Sequence, residues 1–174
     1  MARDGITVFL NSLNPITELS VGELKKIYTG EVKNWRELGG ADAPIVLYGR
    51  DSSSGTYVFF KDNVLAGADY APQTQTMPGT AAVVNAVAKD PNGIGYGGVA
   101  YASGVKHLKL KKNPGGTAYE PTLENVKSGV YPLARYLFFY LKQSPAGEAK
   151  KFIDWVLSPA GQEVVTKVGY FPVK

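Results

Sequence analysis

Arg50, Ser52, Ser53, Ser54, Gly55 and Thr56 stand together in the run GRDSSSGTYVFF, with Asp51 among them. These residue types offer a planar guanidinium, a row of hydroxyl donors and one backbone position without a side chain. A strand ending near Gly49, a polar turn and a helix starting near Ser54 put the run beyond the carboxyl end of a strand, where open α/β sheets bind ligands. The first N–H groups of such a helix have no intrahelical acceptor and carry the positive end of its dipole, so the spacing predicts an anion site. Gly55 lets the backbone approach closely. Ser54 and Thr56 add hydroxyl donors, and Arg50 can hold two oxygens of a tetrahedral oxyanion at once. Ser52 and Ser53 either donate as well or only shape the turn. Serine, glycine and aspartate also fill ordinary turns and N-caps, so the run alone leaves a purely structural role open.

Other chemistries fit less well. No G-x-x-x-x-G-K-[ST] appears, no G-x-G-x-x-G opens the helix, and the serines do not form G-x-S-x-G. The single histidine, His107, lies in the segment VKHLKL, far from the serines, where an exposed strand residue is expected rather than a general base. Cysteine is absent, which removes disulfides, thiolate chemistry and cysteine metal sites; with one histidine no metal site is expected, and no cofactor is called for. The formal charge of +4 comes from 19 Lys and Arg spread along the chain, without the basic stripe and stacking aromatics of a nucleic-acid binder. No apolar run approaches the length of a membrane span, and ITVFL is too short for a signal peptide.

The elements that must position the run are readable from apolar patterning. GITVFLN reads as a buried strand. SVGELKKIYTG reads as a helix with Ser20 and Glu23 spaced as a capping box and Gly30 as its stop. APIVLYG is a strand, SGTYVFFKDNVLAG a helix, GTAAVVNAVAKDPNG a helix ended by a turn, and IGYGG a short strand. VKHLKL is a strand, TLENVKSG a short helix and ARYLFFYL a strand. Two helices close the chain, SPAGEAKKFIDWVLS and SPAGQEVVTKVG, each expected to open with Ser-Pro at N-cap and N1. At 174 residues with 44% hydrophobic content the chain suits one domain, 1–174, and the alternation of strands and helices argues for an α/β fold with a largely parallel or mixed sheet covered by helices. YLFFYL (136–141) and ITVFL (6–10) are apolar at nearly every position, as strands covered on two faces would be.

GRDSSSGTYVFF, together with LSVGELKKIYTGEVKNWRELGG, MPGTAAVVNAVAKDPNGIGYGGVAYA, PTLENVKSGVYPLARYLFFYL and FIDWVLSPAGQEVVTKVGYFPV, resembles the PstS-type phosphate-binding proteins of bacterial ABC phosphate uptake systems, in order over nearly the whole chain. The resemblance implies a periplasmic-binding-protein-like fold of type II, non-catalytic, closing on one inorganic phosphate between two lobes. It places residues of about 11–130 in the second lobe, with connecting strands and C-terminal helices beyond. It puts the phosphate contacts on Arg50, Ser54, Gly55 and Thr56, and a family aspartate that steadies the arginine at Ser52. Whether the neighbouring Asp51 takes that role stays open. The resemblance further implies a periplasmic or extracytoplasmic location, ABC transporter membrane subunits as partners, and a first lobe whose segment is expected to be missing here. The chain would then carry a half-site, completed by that lobe or by a second copy. The alternative is an interaction module forming a homodimer with a vestigial anion turn. An enzyme acting on phosphoesters is disfavoured, because no general base or metal cluster is apparent. In a lone lobe, Ile6 to Leu10, Tyr136 to Leu141 and the apolar residues Phe152, Ile153, Trp155, Val156 and Val164 would lose cover.

Overall fold

The computed structural model describes residues 1–101 and 103–173. Strand β1 (Ala2–Leu10) runs through the centre of the molecule, and Ile6, Val8, Phe9 and Leu10 in it have no exposed surface. β2 (Glu18–Ser20) leads directly into α1 (Val21–Thr29). The Ser20 and Glu23 capping box forms as the spacing predicts, and Gly30 closes the helix in the left-handed region at φ 80°. β3 (Val46–Arg50), α2 (Gly55–Asn63), β4 (Gln75–Met77), α3 (Thr80–Lys89) and β5 (Gly93–Gly98) follow. The chain then passes through β6 (Lys106–His107), β7 (Lys109–Lys111), β8 (Ala118–Tyr119), α4 (Leu123–Ser128), β9 (Ala134–Leu137), α5 (Gly147–Val156) and α6 (Pro159–Lys167).

The main sheet has the order β4-β3-β5-β1-β6, with β9 also on β1. It is mixed, but it is not mostly parallel. β3 pairs parallel with β4 and β5, whereas every pairing of β1, with β5, β6 and β9, is antiparallel. The crossovers through α2 and α3 make the parallel part. β1 enters against it. β2, β7 and β8 form a separate small sheet, so the expected VKHLKL strand divides at Leu108 between two sheets. His107 is half-buried rather than exposed: its ring meets the Phe9 ring edge-on at 5.9 Å, and its Nδ1 is 3.3 Å from Thr7 Oγ1.

Two further expectations change at the C-terminal end. The strand read over ARYLFFYL stops at Leu137, which is paired with Ala2, and the ladder with β1 ends there. Phe138, Tyr140 and Leu141 are 62%, 91% and 50% exposed instead of covered on two faces. Ile6–Leu10, by contrast, keeps full cover within this chain. α6 opens as expected, with Ser158 accepting from the Gly161 N–H and Pro159 at the first position. α5 does not: Ala146 is extended at φ −136° and ψ 165° and serves as the N-cap, so the helix starts at Gly147 (φ 55°) rather than at Pro145.

β5 carries its glycines for packing. A Cβ on Gly97 would lie 2.3 Å from Thr80 Cγ2 and 3.2 Å from Phe9 Cε2, and one on Gly95 would lie 2.4 Å from Val83 Cγ1. The first two turns of α3 therefore rest directly on the β5 backbone. A Cβ on neighbouring Gly98 would make only ordinary contact, at 3.7 Å from Asp4 and Tyr101. Gly97→Ala is expected to lower unfolding free energy by about 1–3 kcal/mol through overpacking, while Gly98→Ala stays within about 0.5 kcal/mol. Urea denaturation of the two variants checks this.

Candidate functional site

Arg50 is the last residue of β3, and Ser54 is the N-cap of α2, so Asp51, Ser52 and Ser53 form the turn between them. The turn is built by its own side chains. Asp51 accepts from the Ser53 N–H at 3.1 Å and from the Ser53 hydroxyl, which holds the Asp51 carboxyl below its usual range. The Ser54 N–H donates to the Asp51 carbonyl at 3.0 Å. Ser53 and Asp51 thus shape the turn; no hydrogen bond joins the Asp51 carboxylate to Arg50 among the described residues, although the Arg50 charge also helps to lower its pKa. Ser52 is exposed on the outside of the turn.

The α2 start follows from Ser54. Its hydroxyl accepts the Thr56 N–H at 3.2 Å, and its carbonyl accepts the Val58 N–H at 3.2 Å as the first bond of the helix ladder. Among the described residues, the N–H groups of Gly55 and Tyr57 find no protein acceptor. Gly55 has no positive φ, and a Cβ built there meets nothing within 4 Å. Neither backbone conformation nor packing requires glycine at this position. What glycine gives is an open approach to amides at the positive end of a helix.

Arg50 is held from the sheet side. Its Nη1 donates to Thr80 Oγ1 at 2.9 Å, at the first residue of α3, and its Nε is buried without a partner. The Arg50 N–H reaches the Tyr96 hydroxyl at 3.4 Å. That hydroxyl is 2.8 Å from the Tyr70 hydroxyl, which itself donates to the Tyr57 carbonyl of α2 at 3.2 Å. The tyrosine pair therefore ties the end of β3 to the first turn of α2. Burial pushes the Tyr96 phenol up to about 12 and the Tyr70 phenol higher, so both remain neutral hydrogen-bonding groups. Phe60 stacks on Tyr96 with ring centroids 3.9 Å apart, and Tyr28 meets both rings edge-on.

Thr56 is buried, and its Oγ1 accepts a hydrogen bond from Arg135 Nη2 at 3.2 Å. Arg135 also donates to the Gly55 carbonyl at 3.0 Å and pairs with Asp4. Burial raises the pKa of Asp4, opposed by the Arg135 guanidinium. The sequence reading of the site missed Thr80, Tyr96, Tyr70 and Arg135. For Arg135 a signal existed: a lone arginine in an otherwise apolar strand must face a partner.

The arrangement can receive an anion; among the described residues, no group of three or more His, Asp or Glu side chains is placed to hold a metal ion. A family profile described as a PBP superfamily domain matches residues 1–160. The chain belongs to that superfamily. It is 36% identical over 190 residues to the phosphate-binding protein PstS of Pseudomonas aeruginosa PAO1, covering 99% of this chain and 59% of that protein. It is likewise 36% identical to PstS of Bacillus subtilis 168, covering 97% of this chain and 55% of that protein. The chain thus spans little more than half the length of these relatives. A Clostridium perfringens chain solved with bound phosphate superposes with TM-score 0.85 at 34% identity, covering 99% of this chain and 70% of that one. An ABC-type phosphate transport receptor from Vibrio cholerae superposes equally well, TM-score 0.85 at 25% identity, over 98% of this chain and 70% of its own. The mixed α/β architecture is the one expected for a periplasmic-binding-protein-like lobe.

Among the described residues, the Arg50 side chain has one hydrogen-bond partner, the Thr80 hydroxyl. Thr80→Val keeps the shape but removes the acceptor, leaving Arg50 Nη1 unpaired at a part-buried place. A loss of about 1–3 kcal/mol in unfolding free energy is expected, read by urea denaturation.

Proposed function

We propose that this chain binds a tetrahedral oxyanion, inorganic phosphate, on the β3–α2 turn, as the second lobe of a solute-binding protein for ABC-type uptake, and that it catalyses no reaction. The observation that carries this reading is the open face of Gly55, where free amides of a helix start meet no protein atom within reach of a Cβ. Arg50, with a buried Nε that has no partner, and the hydroxyls of Ser54 and Thr56 supply the remaining donors; Ser52 and Ser53 border them. The names of the relatives and the phosphate-bound Clostridium perfringens structure support the same ligand. Residues of about 11–130 form the second lobe in this reading, the place of action is periplasmic or extracytoplasmic, and the partners are the membrane subunits of the transporter.

The turn is half of a site. Its donors meet an oxyanion from one side, and the turn itself offers no buried acceptor for the proton of hydrogen phosphate. Binding by the chain alone is therefore weak, with Kd on the order of 1 mM, and discriminates little between phosphate and sulfate. Amide NMR titration with phosphate tests this directly. Shifts concentrated at Ser54 to Tyr57, lost in Arg50→Ala, are expected. Gly55→Ala should weaken binding at least about fivefold while leaving unfolding free energy unchanged or slightly raised, since alanine suits a helix better than glycine. Absence of any response at these amides in ~20 mM phosphate would end the reading.

A second reading, a homodimer in which the anion turn is secondary, is favoured by one observation. Phe138, Phe139, Tyr140 and Leu141 stand exposed beside Phe152 and Trp155 of α5, which are 55% and 48% exposed, with Phe139 and Phe152 ring centroids 5.8 Å apart. Apolar surface of this kind is normally covered, by the first lobe of the family fold or by a second copy. Light scattering over a range of concentrations decides between them for this chain. A mass that rises to twice the monomer, and falls back in Phe138→Ser/Tyr140→Ser, supports the dimer; a constant monomer mass rules it out.

A further inference from the structure

We propose that Arg135 is the positioning residue of the anion turn, holding the Thr56 hydroxyl as a one-way donor toward a bound oxyanion. The inference rests on the oxyanion reading of the turn and adds a residue 79 positions away from it in sequence. In the β1–β9 ladder Arg135 stands directly opposite Asp4. Its Nε and Nη2 donate to the same carboxylate oxygen of Asp4, at 3.1 and 2.8 Å. Nη1 donates to the Gly55 carbonyl at 3.0 Å, and Nη2 also reaches Thr56 Oγ1 at 3.2 Å. The guanidinium carbon lies 5.2 Å from the centre of the Phe59 ring, which sets the plane of the fork. Every nitrogen of the side chain is engaged, and two of its contacts fall on the first two residues of α2.

The consequence is chemical. A threonine hydroxyl has one proton to give and lone pairs to receive. With a guanidinium donating to Oγ1, the orientation of Thr56 is fixed from below, and its own proton points away from Arg135. Accepting from a cation also strengthens the hydroxyl as a donor. Thr56 thereby turns its proton toward the anion position, matched to an unprotonated oxygen of the anion. Asp4 neutralises Arg135, so the arginine acts through orientation more than through free charge. Lysine cannot reproduce this: one ammonium cannot reach the Asp4 carboxylate, the Gly55 carbonyl and the Thr56 hydroxyl in a planar fork.

A double-mutant cycle on the 174-residue chain, read by phosphate titration of the Gly55 and Tyr57 amides, tests the proposal. Arg135→Lys and Thr56→Val are each expected to weaken phosphate about five- to tenfold, and the double variant to be within about twofold of Thr56→Val alone. Effects that multiply in the double variant, or an Arg135→Lys affinity within twofold of the parent, would overturn it. If Arg135→Lys fails to fold by circular dichroism, Asp4→Asn/Arg135→Gln, which removes both charges together, takes its place in the cycle. A second readout needs no phosphate. The Thr56 χ1 rotamer, from three-bond couplings, should be single in the parent and averaged when Arg135 is replaced. If the parent does not respond to phosphate, the oxyanion reading falls and the rotamer decides for Arg135: averaging supports its positioning role, and an unchanged single rotamer overturns it.

Discussion

A carboxylate buried in the central strand must be paired, and the pairing of Asp4 with Arg135 is the interaction on which the rest of the site depends. Asp4 is 4% exposed, and its partner stands opposite it on β9. A buried ion pair adds little net stability over well-packed apolar residues, because desolvation offsets the attraction. Breaking one is costly, however, so the pair selects among arrangements. A one-residue slip of β9 would send Arg135 to the other face of the sheet and leave Asp4 alone. The same guanidinium reaches α2, so the register of two strands and the seat of a helix are set together.

Above that pair the turn is held from two further directions. The Tyr70 and Tyr96 hydroxyls connect the end of β3 with the first turn of α2, and the Phe60, Tyr28 and Tyr96 rings pack beneath them without exposed surface. The first residue of α3, pressed onto Gly97, supplies the acceptor for Arg50. Donors held by packed aromatics and by close helix-to-strand contact lose little freedom when an anion arrives.

The apolar surface is divided unevenly. β1 is enclosed by β5, β6 and β9 and by the helices, while the residues that follow β9 leave the sheet and carry their aromatic side chains into solvent. The two segments look alike in composition. Their different fates come from pairing: β1 has partners along its length, whereas among the described residues no strand pairs with the chain beyond Leu137.

The α/β class, the capping box at Ser20 and Glu23, the Ser158-Pro159 helix start and the turn from Arg50 to Thr56 were legible in the sequence, because caps, turns and helix starts are satisfied by hydrogen bonds between residues a few positions apart. The resemblance of several blocks in order identified the family. The antiparallel entry of β1, the early end of β9, the start of α5 at a positive-φ glycine and the roles of Thr80, Tyr96 and Arg135 were decided only in three dimensions. Each depends on which backbone or side chain arrives from far along the chain, and apolar patterning records that a segment is to be covered without recording by what. Tertiary structure alone supplies the partner, as it does where Asp4 meets Arg135 across 131 residues of sequence.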